Sequence, residues 1–385
     1  MFATAAISFT ATLVLGLFGG CIYDWITAPR APRQDAEGSS ESAAAASSSR
    51  SPASAPASPP SSLASLRLPT DREDLFDDAI VTNAYVPTND SIPETALYGS
   101  ARTGSDGRSR FHKGIDIAPL LPRTRQGEAT DPIHAIADGR VLYVNRVAGN
   151  SSYGAYVVLM HHDPVGDVYS LYAHLASVDP ALRPDHAVAK GDVLGVMGRS
   201  ANSRIPPWRA HLHFETGLMM TSRFADWERA TKQTPQRGNG HGWNLLPADP
   251  REVLRAAVEQ PGSFSMLDWL RTRPAACAVA LHLDALPDYF RRHAPLWTGE
   301  PFPQGGADVV LGLTDAGLIL FGRLATPAES DAIARLPAKG PRVAVLHADE
   351  ALLGRNGMRI VVKDAGRWRF GTNPTAQRWL DLLRR

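Results

Sequence analysis

The chain has 385 residues, of which 44% are hydrophobic and 21% charged, a composition typical of a globular protein with room for two or three domains. Forty Lys and Arg against 39 Asp and Glu give a formal charge of +1, which excludes the strong basic excess of a nucleic-acid-coating protein. The two cysteines, Cys21 and Cys277, exclude a disulfide-stapled scaffold and a cysteine-rich zinc finger. Nine of the twelve histidines lie between residues 112 and 241.

The N-terminal segment 1–23 carries no charge, which is typical of a signal peptide or a membrane anchor. Its segment LFGGC at 17–21 resembles a bacterial lipobox, whose cysteine is lipidated. Lipidation of Cys21 and an uncleaved anchor both remain open. In either case the sequence predicts export, membrane association through this segment, and a location in the cell envelope outside the cytoplasm.

A disordered linker is predicted over residues 24–84. Within residues 38–62, 22 of 25 positions are Ala, Ser or Pro. Such a composition buries too little apolar surface to compensate for the entropy lost on ordering. The linker would hold the rest of the protein a short distance from a bilayer.

Regularly spaced apolar runs separated by turn residues predict short strands from about residue 85 onward. The runs are 133–137, 140–147, 155–161, 168–175, 192–197 and 211–218. We therefore expect a mainly β protein, with an antiparallel β-sandwich or half-barrel domain over residues 85–235. A connector is predicted at 236–263, with a helix at 250–260. A small α+β domain of unknown role is predicted at 264–385.

The segment HLHFE at 211–215 is the first candidate site. On a strand, His211, His213 and Glu215 would share one face, while Leu212 and Phe214 would take the core face. Two imidazoles on one strand face suit a zinc ion or a catalytic pair.

The segment HKGIDIA at 112–118 supplies a further imidazole, on His112, and a carboxylate, on Asp116. Their four-residue spacing predicts that the two side chains share one face of a strand or a helix. Together with one imidazole from HLHFE they would make a three-ligand zinc site with a fourth position for water. In the segment YSLYAHL at 169–175, alternation predicts that Tyr172 and His174 share a face, where His174 could move a proton.

In combination, these segments resemble the lysostaphin/LytM-type zinc metallopeptidases, secreted enzymes that cut the peptides of bacterial peptidoglycan. The resemblance covers residues 95–225. The matching features occur in the family's order: HKGIDIA, AIADG at 135–139, YGAYVVL at 153–159, YAHL at 172–175, KGD at 190–192 and HLHFE.

This resemblance implies that His112, Asp116 and His213 bind one Zn2+ per chain. It also implies that His174 and His211 flank the attacking water and the scissile carbonyl, as general base and stabiliser of the oxyanion, in an order left open. The implied protein is a zinc metalloendopeptidase whose partners are peptidoglycan peptides. Two alternatives stay open: a catalytically silent relative that binds the wall or activates another hydrolase, and a peptidase acting on a non-wall protein.

Several features depart from the family or fall outside its motifs. Residues 199–210 are longer and more basic than the usual turn, and residues 119–131 are a polar insertion, so both are expected to rim the groove. A family tyrosine upstream of the first histidine has only a weak counterpart in Tyr98. The residues predicted to be surface or structural are His134, His161, His162, His186, His241 and Cys277.

Overall fold

The short apolar runs form antiparallel strands in the computed structural model of the protein, which describes residues 60–77, 83–103, 109–232, 238–354 and 357–385. These residues belong to one compact unit bounded by Pro56 and Arg385. The predicted signal or anchor at 1–23 and residues 24–59 of the predicted linker lie outside the described residues. Within the described ranges, no helix is both long and apolar enough to span a membrane.

The first part of the described chain is a set of antiparallel strands. They are β1 (Ala101–Thr103), β2 (Ser109–Phe111), β3 (Ile115–Ile117), β4 (Pro132–His134), β5 (Gly139–Asn145), β6 (Ala155–His161), β7 (Val168–Leu175), β8 (Ser177–Val178), β9 (Ala187–Val188), β10 (Val193–Val196), β11 (Leu212–Met219) and β12 (Leu245–Ala248). The central sheet has the order β12-β11-β7-β6-β5-β9. On one edge of β11, β3 pairs with residues 212–214 and β12 pairs with residues 216–219. Strands β4, β10 and β8 form a smaller sheet, and β1 and β2 form a hairpin.

Both faces of the central sheet are covered, which explains why its middle strand β6 is buried along its whole length. On one face, Tyr172, Leu212 and Phe214 pack in the main core. On the other face, Leu171 and Ala173 belong to a second apolar cluster. Side chains of β11 therefore point alternately into the main core and towards the opposite face of the sheet, where the second cluster lies.

The second part of the described chain combines helices with another antiparallel sheet. The helices are α1 (Phe224–Ala230), α2 (Pro250–Glu259), α3 (Met266–Arg271), α4 (Asp288–Arg292), α5 (Pro327–Ala334), α6 (Glu350–Leu353) and α7 (Pro374–Leu383). The strands are β13 (Cys277–Leu283), β14 (Ala307–Leu313), β15 (Ile319–Leu324), β16 (Val343–Ala348), β17 (Val361–Asp364) and β18 (Arg367–Phe370). The sheet order is β15-β14-β13-β16, and β17 and β18 form a hairpin. Short 3-10 turns lie at Ser62–Ser65, Asp74–Phe76, Pro93–Ala96, Ala148–Asn150, Pro207–Arg209, Gly238–Gly240 and Ala294–Leu296.

This architecture confirms the predicted fold class, mainly antiparallel β with a C-terminal α+β part. Local signals explain its helices. In α2, Pro250 stands at the first helical turn and the Asp249 carboxylate accepts hydrogen bonds from the next two backbone amides. In α7, Asn373 caps the helix in the same way.

The predicted connector at 236–263 is not a connector throughout, because β12 within it is a strand of the central sheet, paired with β11. The Pro-, Gly- and Asn-rich flanks of this segment concealed the two leucines that make the pairing. The two parts of the unit also share polar contacts. The Asp163 carboxylate accepts hydrogen bonds from the amides of Met266 and Leu267 at the start of α3.

The predicted disorder is wrong for residues 60–77 and 83–84 of the linker. Leu63, Leu75 and Ala84 are fully buried in the main core. The Arg72 side chain donates to the carbonyls of Ala118 and Asn83. The low-complexity composition ends at about residue 62, and the leucines that follow it bury enough apolar surface to order the chain.

Candidate metal centre

The candidate centre is assembled by two neighbouring antiparallel strands and the bend before one of them. Asp116 on β3 lies directly opposite His213 on β11. His112 precedes β3 and reaches Asp116 across a bend at Gly114, so this pair does not share a strand face. A Cβ atom at Gly114 would lie 2.3 Å from the Phe214 carbonyl oxygen and 2.9 Å from His213 Cε1. Glycine is therefore required where the bend approaches β11.

Three side-chain atoms converge on one point. His112 Nε2 lies 3.1 Å from Asp116 Oδ1, and His213 Nδ1 lies 3.0 Å from the same oxygen. The two nitrogens are 3.1 Å apart. Ligands bound to zinc at 2.0–2.1 Å in a tetrahedron stand roughly 3.3 Å from one another, so the triangle has the size of a zinc site. All three residues are buried.

The remaining ring nitrogens fix which atoms can face a metal. His112 Nδ1 donates to the Leu97 carbonyl oxygen at 2.8 Å, so its Nε2 carries the lone pair when the ring is neutral. His213 Nε2 donates to Glu215 Oε1 at 2.9 Å, which leaves the lone pair of a neutral ring on Nδ1. Two nitrogen lone pairs and a carboxylate oxygen then face one another. Three such lone-pair atoms need a cation or a proton between them. Two imidazole nitrogens and a carboxylate oxygen are ligands that suit zinc.

The surroundings shift the pKa of each of the three groups. Burial lowers the pKa of His112 to about 4, so its ring is neutral near pH 7. Burial alone would raise the pKa of Asp116, but Arg102, His211 and His112 together hold it well below its usual range. For His213, burial opposes a proton, yet hydrogen bonds to Asp116 and Glu215 raise its pKa to about 9. A metal ion must therefore displace a proton from His213.

Glu215 joins the candidate site although sequence reasoning assigned it no role; the alternation of HLHFE placed it on the face of His213. Its side chain is fully buried. Besides the His213 ring it accepts hydrogen bonds from the hydroxyls of Tyr153 at 2.6 Å and Tyr169 at 3.3 Å. Burial would raise the pKa of Glu215, but the bonded His213 ring and Lys113 lower it. Glu215 therefore fixes the tautomer and orientation of His213, as outer-shell carboxylates do at zinc sites.

The two remaining predicted site residues lie beside this triangle. The rings of His174 and His211 have centroids 4.7 Å apart, and His174 lies 5.9 Å from the His213 ring. His211 Nδ1 donates to the Arg209 carbonyl at 2.6 Å, and His174 Nδ1 donates to the Ser200 carbonyl at 2.8 Å. Burial lowers the pKa of both rings, more strongly for His174. The structure thus brings all five predicted site residues together and leaves each Nε2 of this pair as a proton acceptor.

His174 reaches the site through an unusual backbone conformation, with φ of 62°. This breaks the alternation of β7, and the prediction that Tyr172 and His174 share a face is wrong. Tyr172 packs in the main core against Phe214 and its hydroxyl accepts a hydrogen bond from the Ile136 amide. The His174 ring instead turns towards His211.

Ser200 and Gly154 hold His174 in that conformation. The backbone amide of His174 donates to the Tyr153 carbonyl at 2.9 Å, and the Ser200 hydroxyl accepts from the Ala155 amide at 2.9 Å. Gly154 itself has φ of 64°, and a Cβ atom there would lie 2.0 Å from the Ser200 carbonyl oxygen, the atom that accepts from His174. The loop around Gly154 therefore places the ring of His174.

The two long segments that depart from the family lie against each other near His211. Arg123 donates to the carbonyls of Pro207 and Trp208, and Arg199 forms a bidentate ion pair with Glu128. Trp208 keeps 73% of its surface exposed on this braced rim, three residues before His211. A large apolar side chain in that position is available to a substrate.

Several residues that the sequence placed outside the site, as surface or structural residues, have contacts in the structure. His134 faces the Gly191 carbonyl, His161 lies between the Asp138 carbonyl and the Ser170 hydroxyl, and His241 stacks on Phe224. Cys277 is buried, and the Tyr98 hydroxyl donates to the Pro247 carbonyl. Among the described residues, the group of histidine, cysteine and acidic side chains close enough to hold a metal is His112, Asp116 and His213.

Comparison with known proteins gives a family match and several similar solved structures. Residues 110–222 match the model of peptidase family M23. No curated protein matches the chain. Solved structures that resemble it include a zinc-containing peptidase from Vibrio cholerae, at 23% identity and a TM-score of 0.24, with 32% of each chain covered. The catalytic domain of lysostaphin from Staphylococcus simulans matches at 21% identity and a TM-score of 0.26, covering 41% of this chain and 89% of that domain.

A third similar structure is a mutant of the catalytic domain of the prophage-encoded M23 protein EnpA from Enterococcus faecalis. It is 24% identical with a TM-score of 0.22, covering 30% of this chain and 74% of that one. The chain thus spans about a third of the Vibrio cholerae peptidase and most of the two catalytic domains.

Proposed function

Residues 110–222 match the model of peptidase family M23, and from this match we propose that the chain is a zinc metalloendopeptidase that hydrolyses peptide bonds in bacterial peptidoglycan. The observation that carries the proposal is the convergence of His112 Nε2, Asp116 Oδ1 and His213 Nδ1 within 3.1 Å of one another. Two further histidines stand beside this triangle, each with its Nδ1 proton engaged by a backbone carbonyl.

Zinc held by these three atoms would polarise the carbonyl group of the substrate and lower the pKa of a water molecule. We assign His174 Nε2 as the base, because its Nδ1 donates to the Ser200 carbonyl and leaves Nε2 as an acceptor, whereas His211 Nε2 faces the Asp116 carboxylate. Burial lowers the pKa of His211, but Asp116 Oδ2, 3.5 Å from its Nε2, opposes that lowering. A proton on this Nε2 would let His211 stabilise the oxyanion of the tetrahedral intermediate.

The substrate assignment combines family and location. Wall peptides are the substrates that the resemblance implies, and the uncharged N-terminal segment would bring the enzyme to the envelope where they lie. The exposed Trp208, next to the rim arginines, offers a contact surface for a peptide beside His211. We therefore propose an enzyme tethered to the membrane that acts on the wall outside the cytoplasm.

The decisive experiment measures zinc content and product formation on the same preparations. Wild-type protein should bind one zinc per chain and release peptides from purified peptidoglycan, identified by mass spectrometry. His213→Ala should lose both, while His162→Ala, at an exposed histidine of the same region, should keep both.

Each alternative has its own outcome in this experiment. Stoichiometric zinc without any released peptide would favour a catalytically silent relative. Cleavage of protein substrates but not of peptidoglycan would favour a peptidase with a non-wall target. Full activity of His213→Ala would overturn the proposal itself.

A further inference from the structure

Arg102 contacts a residue of the candidate metal centre although it lies outside the residues 110–222 that match the family model. Its guanidinium lies 2.7 Å from Asp116 Oδ2, with Asp116 fully enclosed and the Arg102 side chain 21% exposed. The two oxygens of Asp116 are thus divided between partners. Oδ1 faces the nitrogens of His112 and His213, whereas Oδ2 faces Arg102 and, at 3.5 Å, His211.

This division decides how Asp116 can bind a metal. A carboxylate bound through both oxygens would fill two coordination positions, whereas a carboxylate bound through one leaves room in a tetrahedral site. We propose that Arg102 is a positioning residue: by engaging Oδ2, it makes Asp116 a ligand through Oδ1 alone and so keeps a coordination position open for the reaction. The inference rests on the proposed zinc site, but not on the identity of the substrate.

The structure holds Arg102 firmly enough for this role. Its Nε donates to the Thr95 carbonyl at 2.8 Å, and the nitrogen that contacts Asp116 also donates to that carbonyl. Thr95 is buried in the 3-10 turn Pro93–Ala96, so the anchor is part of the packed structure. A planar guanidinium can serve both acceptors at once in a fixed geometry, which an ammonium group cannot do.

The hairpin provides a matched control. Arg102 on β1 pairs directly with Arg110 on β2. Arg110 is exposed and has the same side chain on the same two-stranded element. Any effect of shortening a hairpin arginine as such should therefore appear at both positions.

The test uses protein stripped of zinc and reloaded with cobalt(II), whose visible absorption is strong in four-coordinate sites and weaker in five-coordinate sites. Wild type and Arg110→Ala should give the strong spectrum. Arg102→Ala should give the weaker one, as Asp116 binds through both oxygens. It should also lose about 10- to 100-fold in kcat/KM on peptidoglycan with the zinc enzyme. Arg102→Lys, which retains the charge, should recover part of both properties.

The outcomes separate the two proposals. An unchanged cobalt spectrum in Arg102→Ala would overturn the role of Arg102 while leaving the metal site intact. Wild-type protein that takes up neither cobalt nor zinc would instead overturn the proposed function. If Arg102→Ala does not fold, Arg102→Gln replaces it in the test. Its side chain is neutral and shorter than that of arginine, so the same change in the cobalt spectrum is expected.

Discussion

The placement of His174 by Gly154 can be tested by adding a single methyl group. Gly154→Ala puts a Cβ atom 2.0 Å from the Ser200 carbonyl oxygen and 2.4 Å from its hydroxyl oxygen. Contacts of Cβ atoms below 3.0 Å are essentially never seen, so the Ser200 carbonyl must move by about 1 Å. Because that carbonyl accepts the hydrogen bond of His174 Nδ1, the ring must move as well.

The magnitude follows from two separate costs. A side chain at φ of 64° costs about 1–2 kcal/mol, and forcing the overlapping atoms apart costs about 1–3 kcal/mol more. We expect the free energy of unfolding to fall by about 2–5 kcal/mol. A displacement of about 1 Å at a group that acts on the substrate lowers kcat by roughly 100-fold.

The assay combines denaturant unfolding, zinc content and kcat on purified peptidoglycan. Zinc content should stay at the wild-type level, because Gly154 does not touch the three candidate ligands. Gly149→Ala is the matched control, since a Cβ atom there meets no atom within 4 Å, and its stability should change by less than about 0.5 kcal/mol. A Gly154→Ala protein with wild-type kcat would refute the reasoning that this loop places His174.

Three further predictions concern the metal, the substrate and pH. Glu215→Gln keeps the shape of the side chain but removes its charge, so zinc affinity should fall about 10- to 100-fold, or about 1.4–2.7 kcal/mol, in competition with a chromophoric chelator. Trp208→Ala removes an exposed contact worth about 1–2 kcal/mol and should raise KM for wall peptides roughly 5- to 30-fold at unchanged kcat and zinc content. Burial lowers the pKa of His161 to about 4, so the unfolded chain takes up a proton there more readily than the folded one, and stability should fall as pH drops from 6.5 to 4. His161→Asn should flatten that fall by up to about 3 kcal/mol in denaturant unfolding.

Each of these has a control or a contrary outcome. Tyr169→Phe removes only the longer hydrogen bond to Glu215 and should weaken zinc binding less than Glu215→Gln. A change in kcat without a change in KM would exclude a binding role for Trp208. The neighbouring exposed histidine serves as control for His161, and an equal flattening in His162→Asn would contradict the assignment of the acid effect to the buried ring.

The sequence predicted those parts of the site that depend on local pattern. Alternation in HLHFE placed His213 and Glu215 away from the core leucine and phenylalanine, and β11 bears this out. His112 and Asp116 do come together, but through the bend at Gly114 and not through a shared strand face. The four-residue spacing therefore predicted correctly that His112 and Asp116 meet, but the bend brings them together.

The parts that the sequence did not predict depend on contacts between distant segments or on backbone angles. No spacing rule relates Arg102 to Asp116 across a hairpin, or Ser200 to His174 across 26 residues. The left-handed conformation of His174 reversed the face of its ring relative to Tyr172, and it depends on packing around Gly154. Likewise, Leu63 and Leu75 follow a low-complexity stretch, and only their burial in the core shows that the chain is ordered there.

The hydrogen bonds from α3 to Asp163 bear on how the protein can be cut for expression or grafted into another. Asp163 lies within residues 110–222, which match the family model, yet its carboxylate accepts hydrogen bonds from amides beyond residue 264. The buried ring of His293 also contacts this segment, because its nitrogens face the carbonyls of Val165 and Met219. Trimming the chain to the family segment would remove β12 from the sheet edge and leave these groups without partners. A transplantable form of this protein should therefore extend from about residue 60 to the C-terminal helix α7.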